Sequence, residues 1–172
     1  MKTKLYIIVT SLFLIALKSQ ALLPKNDLTK PSLPTAAKVF TGGVAGVGFT
    51  LLDVKTLQFK NNDRIVVDIG DLHGKNLKGL PGYFHAEYKA EKGKLILDFA
   101  QMPNSFISSQ QLTDKLKSVG SIRQSRLHFD PADSSMSLIL DLKKSQVKIY
   151  QVPGQKTTSR VVIDLIKEKN VR

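Results

Sequence analysis

The chain contains no cysteine and no tryptophan, and only five of its 26 basic residues are arginine. Without cysteine it can form neither a disulfide framework nor a thiolate metal site, and a lipoprotein anchor has no residue to attach to. No Gly-x-Ser-x-Gly turn and no His-Glu-x-x-His helix occurs, so the sequence offers no motif for a serine hydrolase or a zinc peptidase. We therefore predict that the protein is not an enzyme.

Residues 1–21 are typical of a secretory signal peptide. Two lysines precede an apolar stretch at residues 5–17, Lys18 ends it, and the small residues Ser19 and Ala21 form a cleavage site. A helix that spans a bilayer needs about 20 apolar residues, so we predict export and cleavage, with an uncleaved membrane anchor as the alternative. Cleavage removes three lysines and no acid, which lowers the formal net charge from +12 to +9.

This strong positive charge indicates anionic partners. In the periplasm, where export would place the protein, the available polyanions are envelope polymers and anionic membrane surfaces, not nucleic acid. Lysines also keep exposed sheet edges soluble, and both roles are compatible. We predict a periplasmic protein that is not a lipoprotein, has no nucleic-acid partner and is not stably inserted in the membrane after signal cleavage.

Proline and glycine are frequent at residues 22–47, which is typical of a flexible linker. Strand patterns begin after this segment and continue to the C-terminal region. We therefore predict one domain at residues 48–168 and a short tail at residues 169–172.

One pattern occurs four times in this domain: three apolar residues, an aspartate and one more apolar residue. The copies are residues 65–69, 95–99, 138–142 and 161–165. β-Branched and aliphatic residues favour strands that are at least half buried. A basic residue precedes three copies (Arg64, Lys94 and Arg160), and Ser137 precedes the other. We predict four strands whose aspartates, Asp68, Asp98, Asp141 and Asp164, pair with neighbouring lysine or arginine side chains.

The two halves of the domain have similar patterns. Residues 57–59 (LQF) precede a turn and the first copy of the run, as residues 127–129 (LHF) precede the third copy. Apolar residues at helical spacing, with a serine cap, predict a short helix at residues 109–119. Four strands in each half give about eight, which predicts a mainly β fold, a β-sandwich with one short helix.

Candidate binding residues come from the arginines and one tyrosine. Guanidinium groups bind carboxylates in a bidentate manner, and an aromatic ring in a polar strand can stack on a sugar. His73, His85 and His128 are dispersed, so we predict no metal site and no cofactor. The predicted ligand-binding residues are Arg64, Arg123, Arg126, Tyr150 and Arg160.

Residues 121–166 resemble part of a known family. The segment Ser-Ile-Arg at residues 121–123, the Phe-Asp-Pro at residues 129–131 and the run at residues 160–165 are similar to the AMIN domain of bacterial N-acetylmuramoyl-L-alanine amidases. The resemblance extends upstream to about Phe49, although the chain is longer than that family usually is between Gly82 and Leu112.

The resemblance implies a β-sandwich of two similar four-stranded sheets that binds peptidoglycan and has no catalytic activity. We therefore predict a stand-alone periplasmic targeting module that recruits or regulates a separate cell-wall amidase or a division protein. The alternative is an accessory protein of a pilus secretin, which would bind a partner protein by strand addition at an open sheet edge.

Overall fold

The computed structural model describes residues 37–46 and 48–167. The predicted signal peptide, most of the predicted linker and the predicted C-terminal tail lie outside these described residues.

Ten strands, one α-helix and one short 3-10 turn make up the described part of the chain. The strands are β1 (Lys38–Gly42), β2 (Phe49–Gln58), β3 (Asn62–Asp71), β4 (Phe84–Lys89), β5 (Lys94–Phe99), β6 (Asn104–Ser105), β7 (Ile122–Asp130), β8 (Ser135–Leu142), β9 (Ser145–Val152) and β10 (Ser159–Lys167). The helix α1 is Ser109–Lys117, and the 3-10 turn is Ala90–Lys92.

The strands form two sheets of five. The first sheet has the order β1-β4-β5-β8-β7, and the second has the order β6-β2-β3-β10-β9. Apolar side chains from both sheets form one hydrophobic core. The prediction of a mainly β fold with one short helix is confirmed, and the arrangement is consistent with a β-sandwich. The predicted count of four strands in each sheet is wrong, because β1 and β6 each add a strand at a sheet edge.

The four apolar runs are β3, β5, β8 and β10, and they occupy the middle of the two sheets. In β8, Leu138, Leu140 and Leu142 are buried while Ile139 and Asp141 alternate with them on the outer face, as a period of two requires. β3 pairs with β10, and β5 pairs with β8, both antiparallel. The runs therefore supply nearly half of the buried core residues and hold the two halves of the domain together.

Each half gives one hairpin to each sheet. β2–β3 and β9–β10 are in the second sheet, and β4–β5 and β7–β8 are in the first. Exchanging the two halves thus converts one sheet into the other, which agrees with the duplication seen in the sequence. The similarity of residues 57–59 to residues 127–129 is nevertheless one residue out of phase: Leu57 is exposed, whereas Leu127 packs against the core.

The boundary predicted at residue 47 is also wrong. β1 lies within the segment predicted as linker, pairs with β4 over five residues, and brings Phe40 against the core. Proline and glycine are dense on both sides of β1, and this masked a short strand that is stabilised mainly by its partner.

The helix α1 begins where the sequence predicted. Ser108 and Gln111 form a capping box: the Gln111 amide N–H donates to Ser108 Oγ at 3.2 Å, and the Ser108 amide N–H donates to Gln111 Oε1 at 2.8 Å. Leu112 and Leu116 are fully buried. Ser109 Oγ donates to the Leu127 carbonyl of β7, so the helix covers the outer edge of that strand.

Candidate binding face

Two reciprocal ion pairs cross the centre of the second sheet. The antiparallel register of β3 and β10 sets Arg64 opposite Asp164 and Asp68 opposite Arg160. Each arginine is the residue that precedes one run, and each aspartate is the residue near the end of the other run. The repeated pattern in the sequence is therefore a pattern of cross-strand charge pairs.

The first pair is bidentate. Arg64 Nε donates to Asp164 Oδ1 at 2.7 Å, and Arg64 Nη2 donates to Asp164 Oδ2 at 2.9 Å. Hydrogen bonding to Asp164 raises the pKa of Arg64, although burial acts in the opposite direction. Paired guanidinium and carboxylate groups of this geometry are stronger than single hydrogen bonds. The edge of the Arg64 guanidinium formed by Nε and Nη2 is therefore already engaged by Asp164.

The second pair leaves more of its arginine available. Arg160 Nε donates to Asp68 Oδ1 at 3.0 Å, and Lys55 of β2 donates to the other oxygen of Asp68. Within the described residues, the two terminal guanidinium nitrogens of Arg160 donate no hydrogen bond, and one third of the side chain is exposed. Arg160 can therefore still offer hydrogen-bond donors at the surface.

Two aromatic rings lie on either side of Arg64. The guanidinium carbon is 5.7 Å from the ring centroid of Phe59 and 5.8 Å from that of Tyr150, which is within the range of a cation–π contact. Phe59 is 47% exposed, and Tyr150 is partly buried. Burial raises the pKa of Tyr150, as does Asp164, while Arg64 acts to lower it. We call these three residues, Phe59, Arg64 and Tyr150, the Arg64 cluster.

An apolar patch separates the two ion pairs. Val162 is paired with Val66 on one side and with Tyr150 on the other. It is only 4% exposed but is not part of the central core, in contrast to its neighbours Val161 and Ile163. Val162 is therefore buried on the outer face, between the ion pairs. We call this outer surface of the second sheet, with the Arg64 cluster, Val66, Val162, Arg160, Asp68 and Lys55, the arginine face.

The first sheet lacks this cluster. When the two halves are superposed by strand register, Ser137 takes the place of Arg64, and Glu87 takes the place of Tyr150. Ser137 Oγ donates to Asp98 Oδ1 at 2.5 Å, and Lys94 lies opposite Asp141. The cross-strand pairing of the runs is thus retained in both sheets, whereas the aromatic and guanidinium groups are concentrated on one.

The five residues predicted as a binding site fall into two groups. Arg64, Tyr150 and Arg160 lie together on the arginine face. Arg123 and Arg126 lie on β7, at the edge of the first sheet. Arg126 and Arg160 therefore do not share a sheet face, because β7 pairs with β8 and not with β10.

Arg126 has a looser environment than the arginines of the second sheet. Its Nη2 is 3.9 Å from Asp141 Oδ2, and its side chain is more than half exposed. Arg123 is exposed at an irregularity in the β7–β8 register between Ile122 and Gln124. The prediction that the aspartates of the runs pair with basic residues is confirmed for Asp68, Asp141 and Asp164, whereas Asp98 accepts from Ser137 instead.

Sequence reasoning missed Lys55 and Phe59. Alternation along β2 places Lys55 on the same face as Leu57, but only the β2–β3 register brings it to Asp68. Phe59 follows the last residue of β2. A large aromatic residue in a turn next to a strand was the only sequence feature that could have indicated a role for it. Neither residue carries a motif that identifies it as part of a site.

The described residues include no arrangement for metal chemistry. No group of three or more His, Asp or Glu side chains in these ranges is placed as metal ligands. Nor does any helix of the described ranges combine the length and the apolar character needed to cross a bilayer. The arginine face is an amphipathic surface, with cations, aromatic edges and an apolar floor, and such a surface is suited to binding.

No model of a known protein family matches this chain, and no match is found among curated proteins or among solved structures. The similarity to the AMIN domain therefore stays a prediction from the residues quoted above.

Proposed function

We propose that this chain is a non-catalytic, periplasmic peptidoglycan-binding module, and that the arginine face holds the glycan. The observation that carries this proposal is the Arg64 cluster, in which a fixed guanidinium lies between two partly exposed aromatic rings. The family resemblance supports the same function.

The chemistry of peptidoglycan fits this surface in two respects. Its glycan chain presents sugar rings, whose apolar faces pack on aromatic side chains. Its peptide stems carry free carboxylates, which accept hydrogen bonds from guanidinium and ammonium groups. Phe59 and Tyr150 would contact the sugars, and the free donors of Arg160, with Lys55, would bind a carboxylate.

Arg64 has a different role in this proposal from the one predicted by the sequence. Because Asp164 engages the Nε and Nη2 edge of its guanidinium, we assign to Arg64 the positioning of the two rings through cation–π contacts, and to Arg160 the binding of a stem carboxylate. A rigid, pre-arranged aromatic pair loses little side-chain freedom on binding, which favours affinity.

The test is co-sedimentation of the purified chain with isolated peptidoglycan sacculi. The double variant Phe59→Ala/Tyr150→Ala should bind roughly tenfold more weakly, because losing ~1.4 kcal/mol of contact raises a dissociation constant tenfold. The matched control is Phe129→Ala/Tyr83→Ala, which also removes one phenylalanine and one tyrosine, 42% and 45% exposed, but away from the arginine face.

The control should bind sacculi as the parent does. Circular dichroism and thermal unfolding establish that both double variants are folded. Unchanged binding by Phe59→Ala/Tyr150→Ala, or an equal loss in the control, would show that the arginine face is not the binding surface.

Two further arginines, one in each sheet, give an independent comparison. Arg160→Ala should weaken sacculus binding, and Arg126→Ala, which changes the same residue type on the first sheet, should not. Raising the salt concentration should weaken the parent's binding, because salt screens exposed charges, and should weaken that of Arg160→Ala less.

We further propose that this chain, bound to the cell wall, recruits or regulates a separate amidase or division protein there. Export to the periplasm is part of the same proposal. Co-purification of an amidase with the wild-type chain, lost when sacculus binding is lost, would support this role.

The alternative function, docking to a pilus-secretin protein by strand addition, has one observation in its favour. β9 is an eight-residue edge strand that pairs with β10 on one side. By contrast, the outer edge of β7 is covered where α1 donates to its carbonyls. If this alternative were correct, a partner protein would bind Phe59→Ala/Tyr150→Ala as well as it binds the parent, because strand addition uses the backbone groups of β9.

A further inference from the structure

One end of the domain carries most of the charge imbalance of the described chain. This end contains three turns, Phe59–Asn61, Ala90–Gly93 and Lys143–Lys144. It also contains the first residue of β1, the last residue of β10 and the start of β7. Apart from Lys89, which pairs with Glu87, and Lys94, which lies opposite Asp141, the cations located here are Lys38, Lys60, Lys92, Arg123, Lys143, Lys144 and Lys167. The acids here are Glu91 and the buried Asp63. We call this the basic end.

The opposite end is electrically balanced. It is formed by the loops after β3 and β5 and by the turns between β7 and β8 and between β9 and β10. Its cations are Lys75, Lys78 and Lys156, and its acids are Asp71, Asp130 and Asp133. The net positive charge of the domain is therefore concentrated at the basic end.

Hydrogen bonds hold the turns of the basic end together. Asp63 Oδ2 accepts from the Ser121 hydroxyl at 2.6 Å, and Lys167 Nζ is 2.8 Å from Asp63 Oδ1. The Ser121 carbonyl accepts from the Lys143 amide at 2.9 Å, and the Asn61 carbonyl accepts from the Lys167 amide at 3.0 Å. A buried carboxylate thus links turns of both sheets into one surface.

The turn that carries Lys92 belongs to the same network. The Leu142 amide, next to Lys143, donates to the Gly93 carbonyl at 2.6 Å. Gly93 has a φ of +59°, and a Cβ there would lie 2.6 Å from the Leu142 carbonyl oxygen. Only glycine allows this close approach, so Lys92 and Lys143 are held near each other by the backbone.

We propose that the basic end docks onto a membrane surface that contains anionic phospholipids. Its cations come from separate turns and strand ends and do not converge on one point, so they suit an extended layer of phosphates. They are almost all lysines, whose strongly hydrated ammonium groups are attracted to such a layer without leaving water. Lys60, Lys92 and Lys143 are exposed and form no ion pair within the described residues.

The path of the chain supports this partner. Residue 38 is paired with Tyr88, beside the turn that carries Lys92, so the chain enters the domain at the basic end. The sequence before that point includes the apolar stretch at residues 5–17, with lysines on both sides. The basic end is therefore the end nearest the membrane while the predicted signal peptide is still attached, and the arginine face lies on the side of the domain.

The experiment measures binding of the full chain to vesicles of phosphatidylcholine alone and of phosphatidylcholine mixed with phosphatidylglycerol, at low salt. The difference between the two vesicles isolates the charge-dependent part of the binding, because any apolar contribution, including that of a retained signal peptide, is common to all variants. The test variant is Lys60→Gln/Lys92→Gln/Lys143→Gln. The control is Lys75→Gln/Lys78→Gln/Lys156→Gln, which removes the same charge from the opposite end.

The parent should prefer the anionic vesicles, and the test variant should lose up to about a hundredfold of that preference, since each surface lysine contributes about fivefold. The control should keep it. Equal losses in the two triple variants would mean that only total charge matters, and an unchanged test variant would mean that the basic end is not used. Either result overturns the proposal.

Two further measurements keep the inference separate from the proposed function. The test variant should bind sacculi as the parent does, and Phe59→Ala/Tyr150→Ala should keep its preference for anionic vesicles. If the test variant lost sacculus and vesicle binding together, the basic end would be a general polyanion site and the membrane proposal would be wrong. The double variant Lys60→Gln/Lys143→Gln should show a smaller loss in the same direction, so the result does not depend on the folding of one protein.

Discussion

Arg64 and Asp164, one hundred residues apart in the chain, are directly opposite each other on β3 and β10 and share two hydrogen bonds of 2.7 and 2.9 Å. The carboxylate is more buried than its partner, with 13% of the Asp164 side chain exposed against 33% for Arg64. The pair therefore joins the two halves of the domain at the centre of one sheet.

We expect Arg64→Ala to lower the free energy of unfolding by about 1–3 kcal/mol, because it leaves a largely buried carboxylate without its partner. Arg126→Ala should change it by no more than about 0.5 kcal/mol, since that guanidinium is exposed and 3.9 Å from Asp141. Urea unfolding of the two variants gives the comparison. Equal losses of unfolding free energy would show that the Arg64–Asp164 pair stabilises the fold no more than the exposed Arg126–Asp141 pair does.

The outer and inner faces of β8 should differ in their tolerance of substitution. Leu140 is fully buried in the core, so Leu140→Ala should cost about 2–5 kcal/mol in unfolding free energy. Asp141→Asn, one residue further on the outer face, should cost less than about 1 kcal/mol. Chemical denaturation of both variants would contradict this assignment of faces if the two losses were alike.

The stability of the basic end should depend on acid pH through Asp63. Burial raises the pKa of Asp63, but hydrogen bonds from Lys167 and Ser121 outweigh it, and the pKa lies below its ordinary value of 3.8. A carboxylate of this kind stabilises the fold above its unfolded-state pKa, and the contribution is lost as the pH falls through the folded-state pKa. Asp63→Asn should therefore lose stability at pH 7, by about 1–3 kcal/mol, and lose less at about pH 3, below the ordinary pKa.

Urea unfolding of the parent and Asp63→Asn at the two pH values measures this difference. Ser121→Ala, which removes the hydroxyl that donates to Asp63 at 2.6 Å, should show the same trend with a smaller size. A loss that is independent of pH in Asp63→Asn would mean that the ionised carboxylate is not the stabilising form.

The capping box of α1 gives a local test. Ser108→Ala removes the hydroxyl that accepts from the Gln111 amide and should lower stability by about 1 kcal/mol. Ser109→Ala, one residue later, removes the hydrogen bond to β7 and tests the cover on that strand edge instead. Unfolding free energies near the parent's value in Ser108→Ala would mean that packing of Leu112 and Leu116 alone fixes the helix.

Several parts of the fold could be predicted from local sequence. The period of two in residues 136–142 located β8 and its inner face, and the leucine spacing with a serine cap located α1. Both signals depend on which side of a strand or helix is apolar, and the order of residues along that segment alone determines this. β1 was missed because its five residues show little of either pattern. It is a strand mainly because it pairs with β4.

The candidate site was only partly predictable for the same reason. Arg64, Tyr150 and Arg160 were identified by residue type and by their position beside strands, and the structure brings them together. Arg126 has the same type and a similar position, yet it lies in the other sheet. Nothing in the residues around these arginines states which strand will be the neighbour.

The sequence by itself determined that the chain is mainly β, where most strands run, and that each run carries an aspartate to be neutralised. Only the tertiary structure decided that β3 meets β10 and β5 meets β8, and thereby which cation faces which aspartate. Strand periodicity arises from neighbours along the chain, whereas pairing and register depend on core packing between residues that are distant in sequence. The arginine face and the basic end both result from that second step.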